Sequence, residues 1–338
     1  MSRLTLTVPV LAALALTTAL PAFADEVNVY SHRQPELIQP LADAFTAETG
    51  IAVNIAFVDK GMAERLQAEG DRSPADLVLT VDIARLMQVV DAGVTQPVES
   101  AVLDANIPAT LRDPGNQWFG LTTRARIVYA SKDRVKPSEI TTYEDLADPK
   151  WKGRICTRSG LHDYNIALLG AMIAHHDEAY AQTWAEGLKA NLARKPEGGD
   201  RDQIKAIAAG ECDIALGNTY YVGEMMADPE QRPAAEAINV TFPVFEGDGT
   251  HLNISGVAMT KAAPNHDAAL KFMEWLSSDQ AQKIYAEINN EFPVKPGVPR
   301  SALVASWGDF TADSLPLIDV AKARPAALKI METIDYDG

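Results

Sequence analysis

The sequence predicts an α/β protein of two domains around a hinged cleft, and three observations predict it. Short β-like runs alternate with amphipathic helices of roughly 10–15 residues, the pattern of sheets covered on both faces. The chain has 338 residues, more than one hydrophobic core usually serves. Two long β-rich stretches, Trp118 to Ala130 and Asn253 to Thr260, suit strands that carry the chain into a second domain and back. The expected division is 25–122 with 253–297 for the first domain, and 123–252 with 298–338 for the second.

The first 24 residues read as an export leader rather than as part of the fold. Arg3 precedes an uncharged apolar run, Leu4 to Leu20, and Ala22-Phe23-Ala24 is an A-x-A cleavage pattern, so the mature chain is expected to begin at Asp25. Nothing after the leader is long and apolar enough to span a bilayer.

In the first domain, Glu26 to Tyr30 alternates as a strand. Leu37, Ile38, Leu41, Ala44 and Phe45 repeat at helical spacing up to Gly50, which stops the helix. Ile51 to Val58 and Asp76 to Thr80 read as further strands, with helices at Met62 to Glu69 and Ile83 to Ala92. Ligands of such sheets bind beyond the carboxyl ends of strands, which directs attention to Ser31–Gln34, Asp59–Gly61 and Val81–Asp82. The second domain reads as a strand at Arg154 to Thr157, a helix opening near Ser159-Gly160 and running to His175, helices at Glu178 to Asn191 and Arg201 to Ala209, and a strand over Cys212 to Leu216. Helices at Asp267 to Ser277 and Gln280 to Ile288 and a helical tail complete the chain. His175-His176 reads as a solvated helix end, and Tyr30 and Tyr129, inside strands, read as core.

Composition excludes several function classes. The leader holds one base and no acid, so the mature chain carries 29 basic and 46 acidic side chains, a formal charge of −17. Nucleic acid and anionic membrane surfaces are therefore not expected partners. The two cysteines, Cys156 and Cys212, lie in strand-like runs of an exported chain, and a disulfide is expected between them. It would close a loop of roughly 57 residues, worth about 4 kcal/mol in the chain-entropy model. Metal ligation by two isolated cysteines is a weaker reading, because thiolate sites use close pairs.

Gly217 to Met225, GNTYYVGEM, is the most informative stretch. In a strand, adjacent tyrosines would point to opposite faces; where a strand turns into a helix, both can reach one point. A phenol is a poor ligand at neutral pH, but a hard trivalent cation displaces its proton much as a metal acidifies bound water. Tyr220-Tyr221 are thus candidate ligands for Fe(III), with an amphipathic core pair as the competing reading.

With VNVYSHRQ, SPADLVLTVD, WFGLTTRARIVY, WKGRICTRSG, ECDIALGNTYY and NISGVAMTKAAPN, the mature chain resembles the periplasmic ferric-ion-binding proteins of bacterial ABC iron-uptake transporters. That resemblance implies a class II solute-binding fold with a transferrin-like lobe, periplasmic location, delivery of Fe(III) to an ABC permease in the inner membrane, and a monomer. Carried residue by residue, it places the paired ligands on Tyr220 and Tyr221 and a third on Tyr164. The histidine and glutamate ligands of the best-known branch correspond to Gln34 and Val81, so the site resembles the branch with three tyrosines completed by an anion such as carbonate. Arg33, Gln34, Arg124, Arg126 and the Ser159-Gly160 helix start are the candidate anion contacts; a salt bridge across the domain junction is an equal reading of Arg126. His32 would leave a different strand-end position.

Two other functions fit parts of the sequence. In an organic-anion or chelate carrier the arginines would bind the anion and the tyrosines would stack or hydrogen-bond. An exported enzyme would need a nucleophile elbow or H-E-x-x-H, and neither is present. His162-Asp163-Tyr164 is the one conceivable acid–base cluster, and sequence neighbours rarely converge. No phosphate-binding loop is present, so ATP hydrolysis belongs to another subunit.

Overall fold

The computed structural model describes residues 25–338; the expected leader and its cleavage point lie outside them. Among these residues ten strands form one mixed sheet, seven of them in a continuous path: β1 (Glu26–Ser31), β2 (Ala52–Phe57), β3 (Leu77–Thr80), β4 (Thr95–Gln96), β5 (Phe119–Ser131), β6 (Ile155–Cys156), β7 (Ile214–Asn218), β8 (Ile238–Thr241), β9 (Leu252–Thr260) and β10 (Phe292–Pro293). The order is β2-β1-β3-β9-β5-β7-β6, with β10 and β8 on β5 and β4 on β9. The parallel β1-β2 and β1-β3 pairs follow from intervening helices, Pro35–Thr49 and Met62–Glu69.

β5 joins the two halves. Its first part, Phe119 to Ala125, pairs with β9, and its second part, Arg126 to Ser131, pairs with β7 and β8. A thirteen-residue strand buried along its whole length carries arginines only where partners or a ligand can meet them. Apolar side chains pack in separate clusters on either side of this crossing. One cluster gathers Val29, Leu41, Phe45, Phe272 and Trp275 beneath β1, and another gathers Trp151, Leu168, Trp184 and Leu216 beneath β7. The tail expectation holds: the helix Leu317–Thr333 packs on Asp163–His175 and reaches Ile83–Asp91. Among the described residues, no helix is long and apolar enough to cross a membrane.

Local chemistry explains most boundaries. Gly50 ends the first helix in the left-handed region, φ 74°, where glycine alone is free of strain. Cys156 and Cys212 are joined, with Cα atoms 5.9 Å apart, and tie β6 to the residues entering β7. One expected boundary moves: the helix read as opening at Ser159-Gly160 starts at Asp163. His162 caps it, its ring Nδ1 accepting from the Tyr164 amide at 3.2 Å. The turn before it is needed to bring Gly160 under Tyr336, whose ring leaves no room for a Cβ.

Candidate metal and anion site

β7 runs two residues beyond the expected Leu216, to Asn218, and Tyr220 and Tyr221 lie in the first turn of the helix Thr219–Ala227. Gly217 fits this turn because the Tyr129 ring lies directly on its Cα; a Cβ there would sit about 2.0 Å from the ring. The Tyr129 hydroxyl donates to the Asn218 carbonyl at 2.6 Å, so this tyrosine is core, as expected, and it fixes the strand end from which the pair departs. Tyr164 comes from the first turn of Asp163–His175. The structure brings the three together: the Tyr164 and Tyr220 hydroxyls are 3.2 Å apart, and the Tyr220 and Tyr221 ring centroids are 4.2 Å apart.

Burial, then the proximity of Tyr164 and of each other, raises the Tyr220 phenol well above its ordinary pKa, and burial and Tyr164 raise Tyr221 as well. Crowded phenols in a low-dielectric pocket stay protonated unless a cation replaces their protons. Guanidinium groups ring the cluster. Arg124 lies 5.9 Å from the Tyr220 ring, Arg126 and Arg158 lie 5.9 and 5.2 Å from Tyr164, and Arg201 lies 4.9 Å from Tyr221.

The predicted anion contacts divide sharply. Arg126 engages both terminal nitrogens, with Asp200 (2.7 Å), Asn218 (3.1 Å) and Asn165 (2.7 Å), all in the second half of the chain, and only its Nε is buried without a partner. Arg158 joins it on Asp200 at 3.1 Å. Burial would raise the Asp200 carboxyl, but Arg126, Arg158 and the Asn218 amide hold it below the ordinary range. Arg124 donates once, to the Val81 carbonyl at 2.5 Å, and its Nε and Nη1 are buried without an acceptor. Arg33 pairs with Glu291 at 3.0 Å and donates to Ser255. Gln34 is exposed at the start of Pro35–Thr49 and caps nothing.

Ser159 and Gly160 do hold an anion: the carboxylate of Asp337, which accepts from the Ser159 hydroxyl and from the Gly160 amide at 2.7 Å. His32 lines a neighbouring polar hollow of about 230 Å³ with Asp59, Arg85, Asp163 and Arg324. Burial, then Arg85, lowers its pKa to about 4. His162, Asp163 and Tyr164 do not converge for acid–base work. His162 is a helix cap whose pKa burial and Arg158 lower to about 3, and Asp163 pairs with Arg85 (2.8 Å) and Arg324 (2.9 Å).

Sequence reasoning missed Arg158, Asp200, Asn165, Asn218 and Glu291. Arg158 and Asp200 lie 42 residues apart with no local pattern linking them, so only the tertiary fold reveals the pair. The unpaired charge on Arg33 or Arg126 was the available signal, since a buried arginine demands a carboxylate somewhere.

A model of the bacterial extracellular solute-binding proteins matches residues 40–312. The chain belongs to that family. It is 45% identical over 317 residues to the iron uptake protein A1 of Synechocystis, covering 92% of this chain and 87% of the relative. The apo ferric ion-binding protein A of Pasteurella haemolytica superposes with a TM-score of 0.90 at 52% identity, covering 93% of this chain and 99% of that one. A Trichodesmium protein solved with iron and citrate ligands superposes at 0.87 with 43% identity, covering 92% and 99%. Members of this family bind solutes rather than turn them over, and the fold is the two-lobed, class II type expected.

Proposed function

We propose that this protein captures Fe(III) in the periplasm with the phenolates of Tyr164, Tyr220 and Tyr221 and a synergistic anion, carbonate, and delivers it as a monomer to an ABC permease in the inner membrane. In this reading the lobes are 25–122 with 253–297 and 123–252 with 298–338, and the leader is removed after Ala24. The observation that carries it is the convergence of three phenols beside an arginine with two buried, unpartnered donors. The relatives named for iron uptake and ferric-ion binding support the same cargo.

Charge balance supports the anion. Fe(III) with three phenolates is neutral, and carbonate adds two negative charges. Arg33 and Arg124 share one carboxylate, Glu291, and Arg126 and Arg158 share another, Asp200. Each cluster keeps one positive charge, which matches the anion. Arg124 supplies the free guanidinium edge, a donor pair suited to a planar oxyanion. Arg126, with both terminal nitrogens engaged, acts chiefly by its charge, and Ser159 and Gly160, engaged by Asp337, donate only if that carboxylate moves. Three phenolates fill half of the usual six iron positions, and a bidentate anion protects two more from hydrolysis.

One observation favours a second reading, an organic-anion or chelate cargo: the Trichodesmium relative holds iron together with citrate. Titrating Fe(III) in carbonate-free buffer, then with bicarbonate and with citrate, separates the two. Tight binding restored by bicarbonate supports the proposal; binding restored by citrate alone supports a ferric-citrate cargo; equal binding in all three means that no anion is needed.

A further inference from the structure

We propose a second metal site, for a divalent cation of zinc type, built by His175, Asp248 and Asp313 at the opposite end of the helix that carries Tyr164. His175 ends Asp163–His175, so the sequence reading of a solvated helix end is incomplete. Its Nε2 lies 3.0 Å from both Oδ1 and Oδ2 of Asp313. One ligand atom each from His175, Asp248 and Asp313 lies within 4.8 Å of the others. Ligands about 2.0–2.1 Å from one zinc ion stand roughly 3.0–3.4 Å apart, which the His175–Asp313 pair already meets and from which Asp248, within 4.8 Å of both, is a short side-chain movement away.

The donors are held as metal ligands are held. The His175 ring stacks on Phe245 with centroids 4.2 Å apart, which fixes its plane. Asp248 accepts from the Ser314 amide at 2.9 Å and hydroxyl at 2.7 Å, and Asp313 accepts from the Leu315 amide at 3.0 Å. Hydrogen bonds of this kind orient ligating carboxylates. Thr250, whose carbonyl accepts from the Asp313 amide at 2.9 Å, has a buried hydroxyl with no partner. His175 and Asp313 are only 13% and 5% exposed, yet Asp313 and Ser314 also line a cleft of about 570 Å³ with His251 and Trp118, which provides an entry path.

One imidazole with two carboxylates is a donor set for Zn(II) or a neighbouring first-row ion, whereas calcium and magnesium prefer oxygen alone. The three donors come from a helix end, the loop before β9 and the segment before Leu317–Thr333. A bound ion would therefore clamp three parts of the second half of the chain that are far apart in sequence. The site shares no residue with the phenol cluster, so it stands whether or not that cluster binds iron.

The test is a calorimetric titration of Zn(II) into the mature chain after saturation with Fe(III), with parallel thermal melts. The expected result is one saturable Zn(II) equivalent that raises the melting temperature. His175→Gln and Asp248→Asn should each weaken it by at least about tenfold while leaving the visible spectrum of the iron-loaded protein unchanged. Asp248→Asn serves as the second variant, because it keeps an acceptor for Ser314 if His175→Gln fails to fold. No saturable binding by the parent overturns the proposal. So does parent-like affinity in both variants, which would place the ion elsewhere, such as the exposed His266–Asp267 pair.

Discussion

Arg124 and Arg126 stand two residues apart on one strand and so leave the same face of it, yet their terminal nitrogens meet different surroundings. Arg126 spends both terminal nitrogens on Asp200, Asn218 and Asn165 and leaves only Nε without a partner, whereas Arg124 reaches one backbone carbonyl and keeps both Nε and Nη1, one edge of its guanidinium, buried without an acceptor. Residues that fold a protein satisfy one another within the chain; residues that bind a ligand leave capacity over. By that measure Arg126 belongs mainly to the scaffold beneath the phenols, and Arg124 is the residue the proposed function assigns to the anion.

The comparison breaks first on stability. Asp200→Ala removes the carboxylate shared by Arg126 and Arg158 and should destabilise the apo protein by about 3–5 kcal/mol, since it leaves buried charge uncompensated; urea unfolding measures this. A loss near zero would mean that Arg126 is not held by that pair and is free to bind a ligand. Arg124→Ala should do the reverse. Iron affinity should fall by about tenfold to a hundredfold, the worth of charged hydrogen bonds to an anion, with little change in the apo unfolding midpoint. Equal affinity for parent and Arg124→Ala in competition titrations would sink the assignment of its orphaned donors.

A smaller effect comes from pH. Burial, then Arg126 and His175, lowers the pKa of His251 to about 3, so the unfolded chain takes up a proton near pH 6.5 that the folded chain refuses. Stability is therefore lost as pH falls below about 6.5, by about 2 kcal/mol at pH 5 from this residue alone. His251→Gln should flatten the apo profile between pH 7 and 5, and an unchanged slope would assign it to other groups. Iron release on acidification would be separate, because with the proposed ligands it follows protonation of the phenolates and the anion.

Much of this was legible in the sequence because its signals are local. Periodicity around Leu37 to Phe45, the stop at Gly50 and the alternation in Glu26 to Tyr30 each report a few neighbouring residues, and β5 and β9 were found by their length and apolar character. The phenols were found because two are adjacent and a resemblance supplied Tyr164. What failed is non-local. Ser159 and Gly160 read as free anion donors, but Asp337, 177 residues beyond Gly160 in the chain, occupies them. The balance between Arg124 and Arg126 depends on Glu291, Asp200 and Val81, which only the fold brings near. His175 looked solvated because nothing beside it announces Asp313 or Asp248.

The central claim, that three phenolates hold Fe(III), is tested most directly by the visible absorption spectrum of the iron-loaded protein and of its tyrosine variants. Charge transfer from phenolate to Fe(III) should give the parent a red to orange band. Tyr220→Phe and Tyr221→Phe, which keep the shape and remove a donor, should abolish the band or weaken iron binding severely, while Tyr129→Phe, outside the cluster, should leave both intact. A colourless iron complex, or an undiminished band and parent-like affinity in both pair variants, would contradict the account and make the tyrosine pair structural.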